Sequence, residues 1–271
     1  MRVQQFGARG TLGSVGMIVV IQSLRNGDRP TGRLLREDIE AVAFPYGNNL
    51  QVHYKTAQNP GELEFLLREL AAYVTLTGRA PVLHIECHGD ADGVQLTDGS
   101  YILWTRLKPL LVEINLASRM NMFLVLACCY GGYFAAECRY QEPVPFAYVV
   151  GPGKDIYPDP LFAFTGAFYT ELLRTRDVTQ ALTVAGGGRD DISYFSMSAV
   201  GIFRIALAAH IRSHGSAEAR AKLRIIEESR YERWRRQFFA LEQFPENAER
   251  FAITYAEVFA QVEAERGGHT F

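Results

Sequence analysis

Phe123-Leu124-Val125-Leu126-Ala127 is an unbroken apolar run that stops at Cys128-Cys129, and Val82-Leu83-His84-Ile85 is a second that gives out at Glu86-Cys87-His88-Gly89. A third, Met17-Ile18-Val19-Val20-Ile21, precedes both. Short apolar runs without polar alternation suit strands buried on both faces, as in the middle of a parallel sheet. Segments with helical spacing separate them, and a βαβαβ alternation calls for a parallel sheet with helices on both faces. Open sheets of this kind place their sites at the carboxyl ends of the strands. Here one strand delivers an imidazole to that edge and the next delivers a thiol, which is a way to build a cysteine–histidine dyad.

The intervening segments support this order. Thr31 to Val42 has helical charge and apolar spacing, and Leu50 to Thr56 reads as a strand. Asn59-Pro60-Gly61-Glu62 is a helix start, with Asn as cap, Pro in the first turn and Glu three residues after the cap; Gly78 ends that helix. Gly93 to Gly99 reads as a hairpin-like insertion, Thr105 to Asn115 as a helix, Phe146 to Val150 as a strand, and Leu161–Arg174 and Thr179–Ala185 as helices. Gly186-Gly187-Gly188 breaks the pattern. Beyond it the spacing predicts three helices, Ile192–Arg212, Ala217–Phe239 and Asn247–Glu265, and no strand. The expected organisation is a loose arm over 1–15, an α/β domain over 16–188 and a helical subdomain over 189–271.

Composition bounds the function. With 48% hydrophobic residues in 271 the chain can bury a sizeable core, and a net charge of -2 gives no general reason to expect nucleic acid. The basic-aromatic run Arg230-Tyr231-Glu232-Arg233-Trp234-Arg235-Arg236 reads as a solvated helix face. The four cysteines, at 87, 128, 129 and 138, include an adjacent pair, and the first residues hold no secretory apolar segment, so a disulfide framework is not expected. The early apolar run is too short to span a bilayer. The chain is therefore expected to be cytoplasmic, with no membrane partner. Gly151-Pro152-Gly153-Lys154 lacks the first glycine and the hydroxyl residue of a phosphate loop. His84 and Cys87 fall on opposite faces of an extended strand and no CxxC pair exists, so no metal site and no cofactor are expected.

A free thiol is only a few per cent thiolate near neutrality, and an imidazole within reach supplies the base it lacks. On an extended strand His84, Glu86 and His88 share one face. The backbone N–H groups of Gly89 and of the reactive cysteine are placed to hold an oxyanion. Alternation allows only one of Cys128 and Cys129 to face His88. Glu86 either orients His88 or simply closes the strand, and it is also a candidate for lining the substrate pocket.

These motifs resemble the caspase-like cysteine peptidases of clan CD, and most of all the CHAT branch, with its His-Gly after one strand and a Val-Leu-Ser-Ala-Cys-x-x-Gly pattern after the next. Val125-Leu126-Ala127-Cys128-Cys129-Tyr130-Gly131-Gly132 is similar with Cys129 as the nucleophile; a shift of one residue makes Cys128 the alternative. Asp92 to Gly99 with Ile102-Leu103-Trp104 is similar to the segment between the dyad residues, and Phe168–Leu173 with Gln180–Ala185 to a later helix pair. The likeness covers about residues 80–185.

The resemblance implies a caspase-like, mostly parallel α/β sheet flanked by helices, here with a helical C-terminal extension. It implies a cysteine endopeptidase in which His88 is the base and Cys129 forms the acyl-enzyme on a protein or peptide substrate. It further implies a role in bacterial defence or stress signalling, with an activating or regulatory partner engaged through 189–271. Where many metacaspases carry an Asp two residues before the nucleophile, this chain has Ala127, or Leu126 if Cys128 is the nucleophile, so no side-chain specificity carries over. Asp155 and Lys154 stand where such folds shape the substrate pocket; the first would favour a basic residue and the second an acidic one. The contrasting reading is a catalytically idle interaction module that keeps the fold and uses its helical third to bind a partner.

Overall fold

The computed structural model describes residues 16–43, 50–187, 194–215, 228 and 230–267. The expected arm over 1–15 and much of the first half of the expected helix 217–239 lie outside them. The chain forms two compact units, one made of residues up to Glu137 with Pro145–Ser198, the other of Cys138–Val144 with Ala199–Phe271.

The first unit is built on a mostly parallel sheet. Its strands are β1 (Met17–Ser23), β2 (Gln51–Thr56), β3 (Pro81–Gly89), β4 (Gly93–Gln95), β5 (Tyr101–Leu103), β6 (Phe123–Ala127), β7 (Tyr148–Pro152) and β8 (Tyr194–Ser198). They are ordered β2-β1-β3-β6-β7-β8; only β8 in that series runs antiparallel to its neighbour, and β4 and β5 form a hairpin against the end of β3. The apolar runs read from the sequence are the central strands, buried along almost their whole length.

Helix α1 (Thr31–Ala43) covers one face together with α4 (Pro158–Thr175) and α5 (Val178–Gly186); Ile18, Val20, Val82, Phe123 and Val125 meet Leu35, Ile39, Phe164 and Phe168 there. The other face belongs to α2 (Pro60–Thr77) and α3 (Trp104–Ala117), which bury Leu63, Leu67, Leu107 and Leu111. The start of α2 is capped as the sequence announces, with Glu62 reaching one residue beyond the Asn59 cap. Asn59 Oδ1 accepts from Glu62 N–H at 3.0 Å while Glu62 reaches back to Gln58 N–H at 2.8 Å.

One expectation is overturned. Tyr194-Phe195-Ser196-Met197-Ser198 is not the first turn of a helix but strand β8, paired through Met197 to Val149, and α6 begins only at Ala199. Its alternation has period two, and Tyr194 stacks on Phe164 of α4, an aromatic contact a helix there would forfeit. The α/β unit thus extends past the glycine run to Ser198, while residues 138–144 belong to the other unit.

That second unit comprises α6 (Ala199–Ser213), helical residues 230–238 and a last helix, Tyr255–Gly267. Its core is aromatic: Phe203 packs on Tyr231, Phe238 and Phe239, and Phe239 stacks on Phe251. Among the described residues no helix is long and apolar enough to cross a membrane.

Candidate active site

The chain enters the sheet at β1, adds β2 on one side and then crosses to add β3 on the other. The carboxyl ends of β1 and β3, where this reversal falls, are the usual position for a binding crevice in an open α/β sheet. Two side chains meet there. Leaving β1, Arg25-Asn26-Gly27-Asp28 makes a turn closed by Asp28 N–H to Arg25 C=O at 3.1 Å, and Gly27 takes a φ of 98° that a side chain would strain. The turn brings the Asp28 carboxylate back over Arg25 N–H, at 2.9 Å, and onto His88 Nε2, at 2.8 Å.

The His88 contact, reinforced by Arg25 N–H, holds the Asp28 carboxyl below its usual range despite some desolvation. With Nε2–H donated to this carboxylate, Nδ1 is the nitrogen left to accept a proton. Asp28 was not singled out from sequence; the signal was an Asn-Gly-Asp turn following the strand that neighbours β3.

The two cysteines differ in burial. Parallel β3 and β6 are paired up to Glu86 opposite Ala127, where β6 ends, so Cys128 and Cys129 lie in the turn beyond it. Cys87 and Cys128 are both buried, and the contact with Cys87 followed by burial pushes the Cys128 thiol up strongly. Cys129 is half-buried.

Cys129 Sγ is held by the loop after β7. It accepts from Ile156 N–H at 3.4 Å and donates to Ile156 C=O at 3.6 Å. Burial pushes this thiol up, and the Asp155 carboxylate beside it adds to the effect against the opposing Ile156 N–H. No hydrogen bond joins Cys129 to His88. Tyr130, the next residue, has a φ of 57°, a left-handed conformation that turns the chain abruptly out of β6.

The other candidates separate clearly. A Cβ on Gly89 would lie 2.8 Å from Cys129 C=O, so only glycine lets these two backbones, the proposed oxyanion donors among them, approach so closely. Asp155 stands beside Cys129 and accepts from Tyr130 O–H at 3.4 Å; Lys154 contributes its carbonyl to Tyr130 N–H, and its side chain is exposed. Glu86 neither orients His88 nor lines a pocket. It is buried, accepts from Thr31 O–H at the start of α1 and lies 3.6 Å from His84 Nε2. An anion at a helix N-terminus is favourably placed, which is why the strand's last buried carboxylate turns that way. His84 is wholly buried, its Nδ1 3.2 Å from Tyr169 O–H.

Two further contacts brace the crevice. Arg29, next to Asp28, pairs with Asp159 at 2.7 Å and lies over the Phe162 ring, so the loop after β1 is tied to the start of α4. Among the described residues no group of three His, Cys, Asp or Glu side chains could hold a metal ion. Neither the family models nor the curated proteins contain a match to this chain.

Proposed function

We propose that the chain is a cysteine endopeptidase of the caspase-like type, with Asp28, His88 and Cys129 as its working groups. The observation that carries this reading is the meeting of two strand ends: neighbouring β3 ends with an imidazole already oriented by a carboxylate, and β6 is followed directly by a half-buried thiol.

In the reaction, His88 Nδ1 takes the Cys129 proton and Asp28 stabilises the resulting imidazolium. The sulfur attacks the scissile carbonyl carbon, and the oxyanion is held by the N–H groups of Gly89 and Cys129. The C–N bond then breaks as the imidazolium gives its proton to the leaving amine, leaving a thioester. Water, deprotonated by His88, hydrolyses the thioester to a carboxylate and restores the thiol. On this reading the substrate is a partner protein, in keeping with bacterial defence or stress signalling, and the second unit, whose helical part begins at Ala199 rather than at the expected residue 189, offers the surface for an activator.

A specific observation favours a second reading. The thiol is turned to Ile156 and is not bonded to His88, as in a fold kept for binding alone or one awaiting a partner. Peptidyl acyloxymethyl ketones separate the two. The peptidase reading expects a single adduct on Cys129, located by mass spectrometry and abolished by His88→Ala. Slow, uniform labelling of all four thiols, unchanged by that substitution, would leave the idle module.

A further inference from the structure

The first amides of α1 have no acidic residue in their own turn to meet them. The sheet supplies what is missing. Gln22 of β1 and Glu86 of β3 are partners in register, and both reach that turn. Gln22 Oε1 accepts from Arg33 N–H at 3.2 Å, and Glu86 accepts from Thr31 O–H. Gly32 makes room for the pair, since a Cβ there would lie 2.8 Å from Glu86 Oε2 and 3.0 Å from Gln22 Oε1.

Behind Glu86 the polar chain continues into the core. His84 Nδ1 is 3.2 Å from Tyr169 O–H, and Nε2, which makes no hydrogen bond, lies 3.6 Å from Glu86 Oε2. With Tyr169 O–H donated to Nδ1, the ring proton rests on Nε2 and is directed at the carboxylate. Tyr169, His84, Glu86 and Thr31 are all buried. A carboxylate at this depth is unfavourable unless partners meet it. Here they are the hydroxyl and dipole of α1 on one side and an imidazole N–H on the other, so Glu86 and Thr31 are fixed together.

Thr31 is also where the loop from β1 ends. Its N–H donates to Arg29 C=O at 2.8 Å, Arg29 follows Asp28, and Asp28 meets His88. We propose that Glu86 is a positioning residue: by holding Thr31 it fixes the loop that carries Asp28 and so sets that carboxylate against His88, while Tyr169 and His84 keep Glu86 in place. Its consequence for turnover rests on the peptidase reading above. The Thr31 hydroxyl has a second acceptor within reach, Arg29 C=O at 3.4 Å. Released from Glu86, it turns onto the loop itself, and the anchor to the sheet is lost.

The state of the His88 ring tests this without turnover. In protein labelled with ¹⁵N at histidine, long-range proton–nitrogen correlations at alkaline pH report which ring nitrogen carries the proton, and His88→Ala identifies the signal. Wild type should show the proton fixed on Nε2, and Asp28→Ala should show a ring released from its carboxylate. The proposal expects Thr31→Val, which removes the hydroxyl and keeps the shape, to move His88 most of the way to the Asp28→Ala pattern. Thr31→Ser, which keeps the hydroxyl, should retain the wild-type pattern. A folded Thr31→Val with His88 unchanged overturns the proposal, as does Thr31→Ser displaced as far as the valine variant. Should Thr31→Val fail to fold, Glu86→Gln decides by the same comparison: displacement supports the role, and an unchanged ring overturns it.

Turnover gives an independent reading. Thr31→Val should lower kcat by about 10- to 100-fold with KM nearly unchanged, the sign of a misplaced acid–base group rather than a lost substrate contact. Joined to Asp28→Ala it should add little, because the two act in series. A full further loss in the double variant sinks the route through Asp28. If the wild type cuts no peptide, the peptidase reading fails alone, and the His88 ring still decides the role of Glu86.

Discussion

His88 Nε2 lies 2.8 Å from Asp28 Oδ2, a contact across sixty positions of sequence made where the strand order reverses. It assigns the imidazole's two nitrogens different tasks: Nε2 is anchored, and Nδ1 is free to exchange a proton with a thiol.

Asp28→Asn should therefore leave the fold intact but lower turnover by about 10²- to 10⁴-fold, the usual worth of a positioned acid–base group. The same contact has an acid-side signature. The Asp28 carboxyl is held below its ordinary range, so the contact stabilises the fold fully above that range and is lost as pH falls through the lowered value. Both side chains are 37% exposed, which limits the effect to about 1 kcal/mol or less. Chemical denaturation of wild type and Asp28→Asn should differ near neutrality and converge in acid.

The Cys129 thiol is pushed up by burial and by Asp155, so its alkylation by iodoacetamide should keep accelerating beyond the pH range of an ordinary cysteine. Removing the carboxylate with Asp155→Asn removes a charge that disfavours the thiolate, and the rate profile should move to lower pH. Superimposable profiles would show that Asp155 does not act on the sulfur.

Gly89→Ala would place a methyl group 2.8 Å from a backbone oxygen that cannot rotate away. The two strand ends must then separate, at a cost of about 1–3 kcal/mol. Cleavage should fall far more than thermal stability, since the parted backbones carry the amides assigned to the oxyanion. A variant that is destabilised but cleaves at the wild-type rate would remove Gly89 from that role.

Cys128 and Cys129 should behave oppositely. Cys128→Ala trims a buried packing group and should cost about 1 kcal/mol or somewhat more while preserving the His88-dependent adduct. Cys129→Ala should leave stability nearly unchanged and abolish the adduct. Equilibrium unfolding and intact mass measured on the same two samples decide the matter.

The sheet's centre was legible because its strands are buried on both faces, leaving apolar runs that no other element explains. The helix beginning at Pro60 was legible because its cap is local chemistry, completed within four residues. β8 was missed since an edge strand needs no apolar run, and Tyr194-Phe195-Ser196-Met197-Ser198 carries only a short alternation next to a strongly helical stretch.

At the site, the positions of His88, Gly89 and the cysteine pair could be read from strand ends. Three relations could not. Favouring Cys129 over Cys128 requires knowing which thiol the fold buries, which is not a local property. Asp28 reaches His88 only because β1 and β3 are neighbours on opposite sides of a crossover. Glu86 shares His88's face by alternation, yet the N-terminus of α1 captures it first.

The tie between Arg29 and Asp159 has a practical consequence. It links the loop that carries Asp28 to the start of the helix following the loop that holds Cys129, and it is an ion pair open to solvent. Screening lengths fall from about 10 Å at 0.1 M salt to about 3 Å at 1 M, so added electrolyte weakens this brace long before it disturbs the sheet beneath. Ionic strength thus becomes a dial on how firmly the two halves of the crevice are registered, and assays run in different buffers will be sampling different degrees of that registration.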